Sequence, residues 1–141
     1  MILVDTNVWS EAMKPSPDPR VMAWLGEHSA DAAISTLTIG ELLAGVAVLP
    51  DGRRREALRS LIDRLVVGAR ARTFAYDEHA ARAFAAITSE RGAAGRPYGN
   101  PVDAMIAAVA RANEMPIATR NIRDFEHAGV DAVDPWQEPI S

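Results

Sequence analysis

The chain contains no cysteine, which excludes disulfide bridges, thiolate metal centres and a cysteine nucleophile. It has three histidines, His28, His79 and His127. Their spacing matches no metal-ligand pattern, so each reads as a surface or interface residue. No serine triad is legible. Glycines 92, 95 and 99 form a loop without the Lys-Ser/Thr of a phosphate-binding P-loop and follow no strand, which makes them a flexible connection. The longest weakly charged stretch, residues 32–50, is interrupted by Glu41 and ends in proline, so no membrane-spanning segment is expected. No basic region precedes the first apolar run and no small-residue cleavage site follows it; no export signal is expected, and the cytoplasm is the expected compartment.

At 141 residues, with 48% hydrophobic and 24% charged residues, the chain suits one compact domain spanning 1–141. Its net charge of −4 rules out binding polyanions by bulk attraction, so any nucleic acid must be held locally. Of the fifteen basic residues Lys14 alone is lysine and the rest are arginine. The planar guanidinium fork suits bidentate phosphate and carboxylate contacts, although codon bias explains the preference equally well.

Short apolar runs predict strands at 1–4, 32–36, 71–75, 116–119 and 130–133. Between them the pattern predicts helices. One covers 6–13 and ends in Lys14-Pro15-Ser16-Pro17; a second, over 20–28, is announced by Asp18-Pro19, a cap followed by a proline at the first helical position. A helix over 38–49 is apolar nearly all round and is expected to be buried. The next, over 51–67, carries Leu58, Leu61, Ile62, Leu65 and Val66 on one stripe and opposes them with arginines. That stripe serves the core by default, with a partner subunit or a partner helix as alternatives. Asp77 and Asn100 cap two further helices, to 91 and 113. Trp9, Trp24 and Trp136 are expected as core or interface anchors. Strands alternating with helices predict an α/β architecture, a mainly parallel sheet covered on both faces. Ligands of such sheets collect beyond the carboxyl ends of the strands, where Asp5-Thr6-Asn7 and Thr119-Arg120-Asn121 with Asp124 fall.

Three carboxylates stand alone. Asp5 is the sole charge in 1–10, Glu41 in 32–50 and Asp103 in 97–110. A carboxylate in an apolar setting loses hydration and must be compensated. Glu41 also has capping-box spacing from Thr38, and Asp103 is the third residue of an Asn100-capped helix, so each could simply complement a helix dipole. If the three meet at one sheet edge, repulsion is about 4 kcal/mol per close pair at an effective dielectric of about 20. The natural compensator is a hard divalent cation, Mg²⁺ or Mn²⁺, which takes oxygen ligands and bridges to phosphate. Such metals activate water and stabilise the leaving oxygen in phosphodiester hydrolysis. Asn7, Thr119 and Asn121 are expected to orient carboxylates or waters from behind.

Ile2-Leu3-Val4-Asp5-Thr6-Asn7, Gly40-Glu41-Leu42, Asp103-Ala104-Met105-Ile106-Ala107-Ala108, Ala118-Thr119-Arg120-Asn121 and Asp134-Pro135-Trp136, in this order, resemble the PIN-domain ribonucleases. Within that family the chain is most similar to the VapC-type toxins, including the FitB-like subgroup, and the resemblance spans nearly its whole length. The resemblance implies a small three-layer α/β/α domain that cuts RNA with Mg²⁺ or Mn²⁺. It also implies a homodimer silenced by a cognate VapB-type antitoxin, with DNA reached only through that antitoxin. Asp5, Glu41 and Asp103 match the family's three acidic positions. The fourth departs. Where many members carry an aspartate two residues after the threonine, this chain has Asn121, with Asp124 three residues further on. Asp124 lies among Arg120, Arg123 and Glu126, a setting that also suits a surface role, so the fourth ligand is open between the two.

Receiver domains and haloacid-dehalogenase-like phosphatases share the layout but use a lysine beside the aspartate, and Lys14 sits in a proline-rich turn. The phosphatases also carry Asp-x-Asp where this chain has Asp5-Thr6-Asn7. The contrasting class is a non-catalytic domain whose acidic pocket binds a basic partner. The expected function is hydrolysis of RNA by metal-activated water. Asp5 and Asp103 are the principal ligands, Glu41 completes the cluster, Thr119 and Asn121 orient it, and Arg120 holds phosphate. The RNA target is not written in any short motif.

Overall fold

The computed structural model describes residues 1–140. Five strands form one sheet in the order β3-β2-β1-β4-β5, every neighbouring pair parallel. They are β1 Ile2–Val4, β2 Ala32–Ser35, β3 Thr73–Phe74, β4 Ile117–Ala118 and β5 Ala132–Val133. The helices are α1 Thr6–Ala12, α2 Pro19–Glu27, α3 Thr36–Ala47, α4 Arg53–Gly68, α5 Glu78–Ala93 and α6 Pro101–Ala112.

The central strands are apolar without alternation because helices cover both faces. Side chains still alternate by two along each strand. Leu3, Ala33 and Ile117 point into a core built with α5 and α6. Val4, Ala32 and Ala118 point to the other side, against Val8, Val21, Trp24 and Trp136. Ile34 joins that second side further along, packing with Leu42 and Val46 of α3 and Ile62 of α4. The result is three layers. In α6, Ala104, Ala107, Ala108 and Ala110 are buried; side chains this small let α5 lie close along it.

Capping follows the sequence where the cap residue precedes a proline. Asp18 accepts from the Arg20 N–H and Asn100 from the Val102 N–H, with Pro19 and Pro101 opening α2 and α6. Asp77 caps α5 as expected. Elsewhere the structure differs. The N-cap of α3 is Ser35, whose hydroxyl accepts from the Thr38 N–H. Glu41 is thus the sixth helical residue and too deep to complete a capping box. Nor is α3 buried all round: Leu42 and Val46 are in the core, but Ala44, Gly45 and Val48 are exposed. Residues expected to begin β3 form a 3₁₀ turn at Arg70–Arg72, drawn inward by the Arg72 Nε–H donating to the Ala32 carbonyl. Among the described residues no helix is long and apolar enough to cross a membrane.

The strand order sets the position of the site. From β1 the chain winds outward through β2 and β3, then crosses back to place β4 on the other side of β1. At such a reversal the connections leaving adjacent strands diverge and open a crevice beyond their carboxyl ends. Asp5 directly follows β1 and Thr119 directly follows β4.

Candidate active site

Asp5 is 6% exposed and is held from three sides. The Thr6 N–H donates to Oδ1 at 2.8 Å, the Thr119 hydroxyl to Oδ2 at 2.8 Å, and the Asn7 side-chain amide to Oδ2 at 3.3 Å. Burial nevertheless outweighs these bonds and raises the Asp5 pKa; the charges of Glu41 and Asp124 push the same way. Asn7 and Thr119 also bind one another at 3.3 Å, while Asn7 Oδ1 accepts from the Arg120 N–H and Thr119 Oγ1 from the Asn121 N–H. The two polar clusters read from the sequence are therefore one network spanning β1 and β4.

Glu41 projects from the second turn of α3. The Thr6 hydroxyl donates to its Oε1 at 2.7 Å and stands 3.0 Å from the Thr38 hydroxyl, which in turn accepts from Ser35 at 3.2 Å. Sequence reasoning placed Thr38 as a cap and passed over Thr6 and Ser35. The only signal for Thr6 was its place between Asp5 and Asn7, since the link to Glu41 spans 35 residues. The bond occupies Oε1 and leaves Oε2.

Asp103, half-buried in the first turn of α6, has its pKa pushed up to about 6 by burial and by the charges of Asp5, Asp124 and Glu41. Arg91 pulls weakly the other way. Asp124 lies in a 3₁₀ turn, Ile122–Phe125, and its charge acts on both Asp5 and Asp103. Asp5 and Asp103 thus each feel the charges of Glu41 and Asp124 across the crevice. Asn121 is exposed and reaches Thr119 through its main chain. Arg120 is exposed with its guanidinium 5.0 Å from the centre of the Trp136 ring.

Among the described residues no three acidic or histidine side chains converge into a ready-made metal-binding group. Asp5 and Glu41 are instead tied to their own hydrogen-bond donors. The donor set still fits a hard cation. It is all carboxylate oxygen, without sulfur or imidazole, and Asp5 Oδ1, which accepts one protein bond, keeps a lone pair beyond it. Of the histidines, His28 packs on Trp24 and pairs with Asp31, whereas His79 and His127 are exposed. None reaches the crevice.

The PIN domain family model matches residues 2–130. The chain is 36% identical over 139 residues to the VapC ribonuclease Y4jK of Sinorhizobium fredii, covering 97% of this chain and 99% of that one. It is 35% identical over 140 residues to the toxin FitB of Neisseria gonorrhoeae, covering 98% and 100%. Among solved structures, FitAcB from Neisseria gonorrhoeae superposes with a TM-score of 0.91 at 34% identity, covering 98% of this chain and 100% of that one.

Proposed function

The chain belongs to the PIN-domain family, and we propose that it is an endoribonuclease, the toxin of a type II toxin–antitoxin pair, acting as one nuclease unit over residues 1–141. The carrying observation is that Asp5, Glu41, Asp103 and Asp124 border one crevice at the switch point of the sheet, close enough that Glu41 and Asp124 raise the proton affinity of both Asp5 and Asp103, and Asp5 that of Asp103. A fold retains such repulsion where the charge is used. The similarity to a VapC ribonuclease and a FitB toxin supports the activity and the pairing.

Asp5 and Asp103 are the principal ligands for Mg²⁺ or Mn²⁺, with Glu41 and Asp124 completing the set. Bound there, the ion supplies the charge that lowers the pKa of a water and stabilises the departing oxygen of a phosphodiester. The protein's own part is orientation. Thr119, Asn7 and the Thr6 N–H hold the Asp5 carboxylate, and the Thr6 hydroxyl holds that of Glu41. Asn121 and Arg120 join through their main chains to Thr119 and Asn7. That leaves the Arg120 guanidinium, propped on Trp136, to take an RNA phosphate at the crevice mouth.

The partner is a VapB-type antitoxin. Its place is a groove between α1, α3 and α4, lined by Met13, Leu42, Val46, Leu49 and Leu58 and bordered by Glu41. An apolar helix seated there brings a basic residue to the acidic crevice, where it takes the place of cation and substrate. The toxin is a cytoplasmic homodimer and reaches DNA only through its antitoxin, consistent with its net charge of −4.

The test is cleavage of a mixed RNA pool by wild type and Asp5→Asn, with Mg²⁺, Mn²⁺ or EDTA, after the antitoxin has been stripped away. Metal-dependent cutting that the substitution abolishes is the expected result. Equal cutting by both proteins overturns the assignment. A folded wild type that cuts nothing yet binds a basic partner through Asp5 favours an acidic docking module.

A further inference from the structure

We infer that Arg91 is a positioning residue for the acidic site, holding from within the core the two segments that deliver Asp124 and Asp103. This rests on the nuclease reading above. Arg91, in the last turn of α5, is 6% exposed, and its Nε and Nη1 donate to main-chain carbonyls. Its Nε–H donates to the Arg96 carbonyl at 2.8 Å. Nη1 donates to the carbonyls of Glu126 at 2.6 Å and Asp124 at 3.1 Å, with a longer contact of 3.5 Å to Arg123. The guanidinium lies 3.8 Å from the centre of the Tyr98 ring.

Burying a cation without a carboxylate at contact distance costs several kcal/mol unless dipoles replace the lost water. Here the replacements come from two separate pieces of chain. One is the loop 94–100, which runs from α5 to the Asn100 cap of α6 and so to Asp103. The other is the 3₁₀ turn and its exit, 123–126, which carries Asp124. A single rigid fork thus ties the positions of two acids 21 residues apart in sequence (Asp103 and Asp124). Lysine lacks what this requires: it is a point charge with no planar face for Tyr98 and no fixed angle between donors. The Tyr98 hydroxyl is buried with no hydrogen-bond partner among the described residues. We assign the contact with Arg91 to the ring face, over which the guanidinium lies.

The experiment compares wild type, Arg91→Lys, Tyr98→Phe and Tyr98→Leu, each free of antitoxin. It follows Mn²⁺ binding by electron paramagnetic resonance without RNA, kcat and KM for cleavage, and thermal unfolding. Arg91→Lys is expected to fold cooperatively but to lose about 10- to 100-fold in Mn²⁺ affinity and kcat, the range for groups that orient metal ligands, with KM little changed. Tyr98→Phe keeps the ring and is expected to match wild type, while Tyr98→Leu loses in the same direction as Arg91→Lys. An Arg91→Lys protein with a lowered Tm but wild-type Mn²⁺ affinity and kcat overturns the inference, because Arg91 is then only a staple. Should Arg91→Lys not fold, the pair at position 98 decides, and equal Mn²⁺ affinity in Phe and Leu variants overturns it. A wild type that neither binds Mn²⁺ nor cuts RNA fails the nuclease reading and the inference with it. An active wild type beside an indifferent Arg91→Lys fails the inference alone.

Discussion

The Thr119 hydroxyl donates to Asp5 Oδ2 at 2.8 Å across the boundary between β4 and β1, joining residues 114 positions apart. Both groups are buried, so the bond is made in a setting of low polarity where its loss strands a charge. Thr119→Val keeps the shape and deletes the donor. It is expected to raise the Asp5 pKa further and to lower Mn²⁺ affinity by about 10-fold or more, as calorimetric titration will measure. Unchanged affinity removes Thr119 from the site.

Thr6 does for Glu41 what Thr119 does for Asp5. With the 2.7 Å donor removed in Thr6→Val, Glu41 is free to swing toward solvent, and kcat is expected to fall about 10- to 100-fold. Thr6→Ser, which keeps the hydroxyl, is expected to restore most of it. Single-turnover cleavage of one RNA by the three proteins checks the order.

Asp103 links function to stability. Its folded pKa of about 6 lies above the ordinary 3.8, so between those values this carboxyl is more protonated in the folded chain than in the unfolded one. The contribution of Asp103 to the stability of the metal-free protein therefore falls as pH rises from about 4 to about 6 and levels off above. Asp103→Asn is expected to flatten that slope and to raise Tm at pH 7 while abolishing cleavage. Melting curves in EDTA across this pH range test it; a variant with the wild-type slope and Tm refutes it. At limiting Mg²⁺ or Mn²⁺, cleavage by wild type is expected to decline as pH falls, because protons compete with the cation for Asp103.

If the antitoxin sits in the groove beside Glu41 as proposed, a change there separates inhibition from catalysis. Gly45 lines it, and a Cβ there meets nothing within 4 Å. Gly45→Gln should project into the space an antitoxin helix would occupy without disturbing α3. The expected outcome is antitoxin affinity weakened about tenfold, roughly 1.4 kcal/mol, with RNA cleavage by the free toxin unchanged. Surface plasmon resonance against the antitoxin and an RNA assay together check it. Undiminished affinity places the antitoxin elsewhere.

Local sequence carried the elements whose signals are themselves local. Asp18-Pro19 and Asn100-Pro101 mark helix starts because cap and proline act within one turn. The uninterrupted apolar run of β1 marks a central strand because both its faces are covered. The capping-box spacing of Glu41 from Thr38 is not used, because Ser35 also offers a hydroxyl before the same helix and takes the cap. Only the end of β2, which runs to Ser35, selects between them. The expectation of a wholly buried α3 failed for a related reason. Apolar composition says that a face avoids water, not whether this chain or another covers it.

By itself the sequence determined which residues could do chemistry: isolated carboxylates in apolar segments, with neither cysteine nor metal-spaced histidine to compete. It also determined the alternation of strands and helices that brings strand ends together. What only the tertiary structure decided was who meets whom. The strand order 3-2-1-4-5 places Thr119 against Asp5, the 3₁₀ turn brings the charge of Asp124 within range of Asp5 and Asp103, and α5 brings Arg91 under the segments on which Asp103 and Asp124 lie. Hydrogen bonds and charge–charge interactions act over a few ångströms of space, and no pattern along the chain records distances that arise only when it closes on itself.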